Sequence, residues 1–329
     1  MTMRRLGKKG PEVMPLGLGC WAMVGAYGEV NEAQSIATIH RALEIGYTML
    51  DTADVYGIGE NEKLIQRATK DRRDKAFIAT KVGAVLDAPK FFTEFDGSAA
   101  YIRKACEASL KRLGTDHIDL YHLHRTDPET PIEETAGAMG ELVKEGKVRF
   151  IGLSEATPDE MRRAHGVHPL TSLQTEYSLF SREPEGELLD TVAELGLTFI
   201  PFAPLGRGVL TGRVKSADDL GPDDRRTAFP RFSADNLERN RPLVEALEAL
   251  ASDKGCTAAQ LALAWLLHQG DNIIPIPGAE KVEYVELNMA AADTALDASD
   301  LQRLSDAVPV GAAAGSRSPV GGLGPTDDA

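Results

Sequence analysis

Four residues that together can move a proton onto a bound oxygen stand out in the chain: Asp51, Tyr56, Lys81 and His124. A phenol titrates near ~10, so it donates a proton at neutral pH only beside a cation that stabilises the phenolate. Lys81 is the cation available, Asp51 can hold and orient it, and His124 can hydrogen-bond the oxygen that Tyr56 protonates. Taken singly, each has a plainer reading: Asp51 as a cap or turn former, Lys81 as a solvated strand end, Tyr56 beside Gly57 as a loop aromatic, His124 as a hydrogen-bonded structural residue. Only their convergence on one pocket makes an acid, and that depends on the elements that carry them.

Those elements alternate. Short apolar or β-branched runs are expected as strands at 16–19, 48–51, 77–81, 118–124, 150–154, 172–176, 199–204 and 273–276, with helical periodicity between them. Asn31 before 34–45, Ser98 before 99–113 and Thr157-Pro158-Asp159-Glu160 before 160–165 are helix starts. Further helices are expected at 59–70, 133–146, 185–196, 257–269 and 281–291. Eight strands alternating with helices make the fold class α/β, a (β/α)8 TIM barrel, with a doubly wound open sheet as the competing arrangement. Arg4 to Val13 reads as a hairpin cap, and segments near 236–253 and 298–308 are two extra helices. The chain divides into one barrel over 1–310, with a lid loop at about 211–233, and a Gly/Ala/Ser/Pro-rich tail at 311–329 expected to be disordered.

In a barrel of this kind chemistry sits at the C-terminal strand ends, and these ends are polar. They carry Asp51-Thr52-Ala53 with Tyr56 beyond, Thr80-Lys81, His122-Leu123-His124, Ser154-Glu155, Gln174 with Tyr177, Pro204-Leu205-Gly206-Arg207-Gly208, and Pro277-Gly278. No Gly-x-Ser-x-Gly elbow is present, and Ser154 has no adjacent histidine, so a serine hydrolase is disfavoured. His122-x-His124 lacks the further ligands that a barrel metal site needs, and no metal is expected. Gly-x-Gly-x-x-Gly is also absent, which disfavours a Rossmann domain.

Composition narrows the partners. The chain has 329 residues, 43% hydrophobic and 26% charged, and a net charge of −14 that repels a nucleic-acid backbone. An anionic ligand must therefore be gripped locally by a few basic side chains and helix N-termini. Cys20, Cys106 and Cys256 are too few and too scattered for a disulfide set or zinc site, and no apolar stretch is long enough for a membrane span; a cytoplasmic location is expected.

The motifs Gly19-Cys-Trp21, Leu50-Asp-Thr-Ala-Asp-Val-Tyr-Gly57, Ala79-Thr-Lys81, Ile118-Asp-Leu-Tyr-His-Leu-His-Arg125, Gly146-Lys-Val-Arg-Phe-Ile-Gly-Leu-Ser154, Gln174-Thr-Glu-Tyr-Ser178, Ala203-Pro-Leu-Gly-Arg-Gly208 and Ile276-Pro-Gly278 resemble the aldo-keto reductase family from about Arg4 to Val308. The resemblance is to its microbial and plant branch, which includes pyridoxal reductases and perakine reductase. It implies a nicotinamide cofactor bound without a Rossmann domain, and Asp51, Tyr56, Lys81 and His124 as the catalytic tetrad for reduction of an aldehyde or ketone. It further implies Ser154 and Gln174 on the carboxamide, with Cys20 and Trp21 nearby and Phe202 stacked on the ring. Ala203, Pro204, Leu205, Gly206, Arg207, Gly208 and Leu210 would cradle the pyrophosphate, while Gly278, Lys281 and Asn288 would hold the adenosine end. Trp21, Met23, Tyr27, the Arg125–Pro131 loop and Phe229 to Phe232 are the expected substrate walls.

Two departures bear on this. Glu155 stands where many relatives have Asn after the serine, and Glu280 and Glu283 flank Lys281 where relatives have basic residues that grip a 2′-phosphate. The resemblance keeps NADPH ahead of NADH, and the two acids leave NADH open. A second function from another class is a cofactor-binding regulatory subunit resembling potassium-channel beta subunits, although the short N-terminus carries no segment suited to a channel.

Overall fold

The computed structural model describes residues 2–28, 30–86, 88 and 92–318. Seven parallel strands follow one another in chain order around a sheet: β3 (Leu18–Gly19), β4 (Met49–Asp51), β5 (Phe77–Val82), β6 (Ile118–Leu123), β7 (Val148–Ser154), β8 (Ser172–Glu176) and β9 (Thr198–Phe202), after a two-stranded hairpin of β1 (Arg4–Arg5) and β2 (Glu12–Val13). The eighth position, expected as a strand, is held by residues 273–278 without a regular ladder. Ile274 and Ile276 donate to Phe199 and Pro201 of β9, while Pro275 and Pro277 accept from Gly17 and Gly19. The two prolines have no N–H to give, so only part of the ladder forms, yet both seams are hydrogen-bonded and the barrel closes.

Helices α1 (Glu32–Glu44), α2 (Glu60–Thr69), α3 (Ala99–Leu113), α4 (Ile132–Lys144), α5 (Pro158–Val167) and α6 (Glu187–Leu195) return the chain between successive strands. Their starts are chemically marked. Asn31 accepts from Gln34 N–H and Ser98 from Tyr101 N–H, and Thr157 and Glu160 form a reciprocal capping box with Pro158 in the first turn. After β9, α8 (Ala258–Leu267) and α9 (Val282–Ala290) complete the outer ring, and α7 (Ala234–Asp253) and α10 (Ala298–Ala307) are the two extra helices.

Two apolar layers result. One lies between strands and helices; the other fills the barrel with Met49, Phe77, Leu120, Ile200, Ile274 and Ile276. Leu6 of the hairpin joins the inner layer and is fully buried, so the hairpin closes the end opposite the strand C-termini. It is pinned there by Gly7 N–H to Thr198 Oγ1 at 2.7 Å and by Arg4, which donates to the carbonyls of Leu267, Gly270 and Ile273.

The segment expected as a lid is not structureless. It folds as short 3-10 turns at Ala217–Asp219, Arg225–Ala228 and Pro230–Phe232 that pass over the barrel mouth, with Phe229 and Phe232 buried. The tail also departs from expectation. Residues 311–318 pack on the barrel: Ala314 exchanges two hydrogen bonds with Asn240, and Arg317 pairs with Glu155. Low hydrophobicity suggested disorder, but polar contacts with buried partners hold this stretch; 319–329 lie outside the described residues.

Leu6→Ala should leave a cavity under the barrel floor and cost about 2–5 kcal/mol. Urea unfolding would then show a lower midpoint with an unchanged slope, whereas an unchanged midpoint would mean the hairpin does not support the floor.

Candidate active site

The C-terminal strand ends bring three of the four proton-handling residues together, and the turn after β4 brings the fourth. Asp51 ends β4, Lys81 lies near the end of β5, His124 directly follows β6, and Tyr56 stands on the 3-10-like turn that leaves β4. Lys81 is fully buried, with its Nζ 2.5 Å from Asp51 Oδ1, 2.8 Å from the Thr52 carbonyl and 5.1 Å from the centre of the Tyr56 ring. Asp51 has a second restraint in the Gln174 amide, which donates to Oδ2 at 2.8 Å. The His124 ring meets Tyr56 edge-on, with 5.8 Å between centroids. Asp54, the other acid of the same motif, points away into the protein. Burial, and then the nearby Glu62, push its carboxyl well above the usual range, so it carries no charge toward the pocket.

Burial and charge set the protonation states. Burial alone would strip Lys81 of its proton, but Asp51 and Tyr56 outweigh it and raise its pKa. Burial lifts the Tyr56 phenol above its ordinary value while Lys81 pulls it back down, so the phenol is the resting form. Burial, then Lys81 and Arg125, hold His124 well below 6.5, and His124 is a neutral imidazole whose Nδ1 finds no hydrogen-bond partner among the described residues. His122 is driven down to about 3 by burial and Lys81, and its Nε2 lies 2.9 Å from Ser172 Oγ. That contact engages the residue considered as a second metal ligand, and no cluster of metal-binding side chains occurs among the described residues.

Asp51, Tyr56 and His124 lie on the floor of a cavity of about 690 Å³, with Lys81 buried behind it. Its wall runs from Ser154 and Gln174 past Phe202 to Gly208, and its far end reaches Gly278, Glu280, Tyr284 and Asn288. The wall is bowed by backbone in the left-handed region at Ala203, Gly206, Arg207 and Gly208. A Cβ at Gly208 would sit 3.0 Å from Arg226 Nη1 as well as straining the backbone, so glycine is required where the chain passes under its neighbour. Arg207 tolerates its positive φ because its guanidinium forks onto Glu176 at 3.0 and 2.7 Å.

Of the residues expected around a cofactor, Trp21, Ser154, Gln174, Phe202, Ala203, Pro204, Leu205, Arg207, Gly208, Gly278 and Asn288 line this cavity. Cys20, Gly206, Leu210 and Lys281 do not: Cys20 and Leu210 are fully buried behind the wall, and Lys281 Nζ stands 5.6 Å above the Tyr284 ring. Met23, expected as a substrate wall, is buried away from the cavity, whereas Tyr27 and Arg125 line it as expected. Sequence reading missed Phe92, Arg213 and Arg226. Phe92 packs 4.6 Å from the His124 ring and 5.2 Å from the Arg125 guanidinium. Arg226 lies over the Tyr27 ring at 4.8 Å and donates to the Arg207 carbonyl. All three stand on irregular connections, where no periodicity shows which way a side chain faces.

A parallel barrel with polar groups gathered at its C-terminal strand ends and a cavity above them places the candidate chemistry where barrel enzymes carry theirs. Residues 15–309 match the pattern of the Aldo/keto reductase family. Probable aldo-keto reductase 1 of Glycine max is 44% identical over 317 residues, 95% of this chain and 90% of its own length. Among solved structures, a glycerol dehydrogenase from Gluconobacter oxydans superposes with a TM-score of 0.84 at 31% identity, covering 93% of this chain and 94% of the other. An aldo-keto reductase from Bacillus halodurans in its holo form gives a TM-score of 0.77 at 31% identity, covering 94% and 96%. The chain belongs to the aldo-keto reductase family, whose enzymes reduce small carbonyl compounds with a nicotinamide cofactor. The cavity fits such a group: it is long, it has an aromatic at Phe202 beside amide and hydroxyl groups at one end, and it has a left-handed backbone turn in the middle.

The two buried histidines predict a pH response. The folded protein keeps both neutral far below the ordinary value of ~6.5, whereas the unfolded chain protonates them there, so unfolding takes up protons. Their contribution is therefore fully present above about pH 7 and is lost on acidification, at up to about 1.4 kcal/mol per pH unit for each ring. His122→Gln should flatten the dependence of unfolding free energy on pH between about 6.5 and 5 by one such increment. The same slope in the variant would mean that His122 does not take up a proton on unfolding.

Proposed function

We propose that this protein is an NADPH-dependent carbonyl reductase in which Tyr56 is the general acid. The observation that carries the reading is the buried Asp51–Lys81 pair beneath Tyr56, with His124 beside it on the cavity floor. When bound, the reduced nicotinamide supplies a hydride to the carbonyl carbon. The chain's own residues do the rest. Tyr56 O–H and a His124 Nε2–H donate to the carbonyl oxygen and hold it in place. As negative charge builds on that oxygen, the phenolic proton transfers to it and gives the alcohol. The phenolate left on Tyr56 is stabilised by the Lys81 ammonium, whose charge is maintained by Asp51. Gln174, by fixing Asp51, keeps Lys81 under the ring. A neutral His124 suits this role, since an imidazolium would add a third charge to a dry site and compete as the acid.

Cofactor choice rests on the far end of the cavity. Glu280 and Glu283 oppose a 2′-phosphate, but Arg213, which comes from the crossing segment, approaches Glu283 at 3.7 Å and lies 4.3 Å over the Tyr284 ring. With Lys281 over the same ring, two cations offset two acids, so the acids no longer exclude a 2′-phosphate and the family preference for NADPH stands. The substrate end is walled by Trp21, Tyr27, Phe92 and Phe229 with Arg125 and Arg226 among them, which suits an aromatic or heteroaromatic aldehyde such as pyridoxal. No helix among the described residues is long and apolar enough to cross a membrane. The cysteines are unpaired, which suits a reducing, cytoplasmic setting.

Tyr56→Phe should lower turnover of an aromatic aldehyde by at least about a hundredfold while NADPH still quenches the fluorescence of Trp21; turnover like the wild type in that variant would remove Tyr56 as the acid. Arg213→Ala should weaken NADPH about tenfold and leave NADH within about twofold. Titrating wild type and variant with each nucleotide measures this directly, and equal losses for both would rule out Arg213 as a phosphate ligand.

A further inference from the structure

Beyond α10 the chain turns back across the barrel mouth and is tied down at each step. Asn240 of α7 accepts from Ala314 N–H at 2.7 Å and donates to its carbonyl at 3.0 Å, and Arg231 donates to the Gly315 carbonyl at 3.2 Å. Gly315 has φ +84, and a Cβ there would sit 2.6 Å from the Arg231 Cα, so the strap can lie this close only because it is glycine. Ala314 and Ser318 are buried on either side.

The strap delivers Arg317. Its two terminal nitrogens meet the Glu155 carboxylate at 2.7 and 3.1 Å, and one of them lies 3.8 Å from Glu176. Glu155 is 3% exposed, follows Ser154 directly, and holds a left-handed φ of 52° that a non-glycine residue adopts only under restraint. Its side chain supplies the restraint, accepting from Glu176 N–H at 2.8 Å on one side and from Arg317 on the other. Burial alone would raise the Glu155 pKa, but the Arg317 hydrogen bond, with Arg125 and Arg317 charge, holds it below the usual range. Glu176 in turn anchors Arg207 in the bowed wall, with Arg231 4.0 Å away. Two carboxylates and three guanidinium groups thus interlock behind the cavity; Arg207 reaches its surface, and so does Ser154, the chain neighbour of Glu155.

We propose that Arg317 is a positioning residue of the cofactor site: by clamping Glu155 and sharing Glu176 with Arg207, it fixes Ser154 and the Gly206–Gly208 turn from outside the eightfold repeat. Arg317 does not line the cavity and acts through its two carboxylate partners. Removing it leaves Glu155 as a buried anion stripped of its closest cation, and the strained residue beside Ser154 is released. The inference rests on the reading of this cavity as the nicotinamide site.

The test uses full-length wild type, R317M, R317K and the double variant E155Q/R317M. Each is titrated with NADPH by Trp21 quenching, assayed for kcat and KM, and melted. R317M should bind NADPH at least about tenfold more weakly with kcat at saturating cofactor within about threefold. R317K should recover part of the loss, and E155Q/R317M, which removes the buried charge without restoring the clamp, should still bind NADPH at least about tenfold more weakly than wild type. If R317M melts earlier but binds NADPH like wild type, the strap is only a structural brace and the proposal falls. If the double variant binds NADPH like wild type, the uncompensated charge on Glu155 and not the loss of the clamp weakened R317M, and the proposal falls equally. Should R317M not fold, the double variant decides alone: weak binding supports the clamp and binding like wild type overturns it. A wild type that binds neither NADPH nor NADH would overturn the cofactor reading itself, and the clamp with it.

Discussion

A charged lysine in the interior of a barrel is the constraint around which this protein is organised. Lys81 is wholly removed from water, and without a partner its ammonium would cost several kcal/mol or lose its proton. Asp51 answers that charge at 2.5 Å, the Thr52 carbonyl takes a second hydrogen, and Gln174 fixes Asp51 from across the barrel. The three side chains come from β5, β4 and β8, so the pair holds only if the strands keep their register. Its upkeep thus depends on the hairpin under the floor and the apolar layers around it. The energy of folding maintains an ion pair beneath the phenol of Tyr56, where in the proposed reaction it would stabilise the phenolate.

Charge is distributed unevenly for a reason. The chain as a whole carries −14, a field that repels any phosphate. At the mouth the balance is reversed: Arg207 and Arg231 are buried and Arg317 is half-buried around Glu155 and Glu176, while Arg125, Arg213 and Arg226 line the cavity. Most of these cations are spoken for by carboxylates, carbonyls or aromatic faces, so they form a fixed lattice. Such a lattice can meet an anionic cofactor without reorganising, which is what electrostatic preorganisation requires.

Much of the site could be read from the chain. Asp51, Lys81, His124 and Ser154 end predicted strands and Gln174 lies near the end of one, and in a parallel barrel strand ends share one face; the alternation of strand and helix therefore places them together. Thr157-Pro158-Asp159-Glu160 announced a helix start because capping is a local interaction. The misses share an opposite origin. Phe92, Arg213 and Arg226 sit on irregular connections, Lys281 turned onto a neighbouring ring, and residues 311–318 looked disordered because their anchors, Asn240, Arg231 and Glu155, are remote in sequence.

Periodicity, caps and strand-end chemistry lie within short stretches of chain, and from them the barrel, its hairpin floor and the meeting of Asp51, Lys81 and His124 at one end are legible. The folded molecule alone reveals that Asp51 rather than Asp54 faces the pocket, that prolines at 275 and 277 interrupt the eighth strand without opening the barrel, and that Glu155 is matched by Arg317. Each of those outcomes is a pairing of buried groups far apart in the chain. A charge or a hydrogen-bonding atom removed from water must find its partner in space, and no local pattern says where that partner will be.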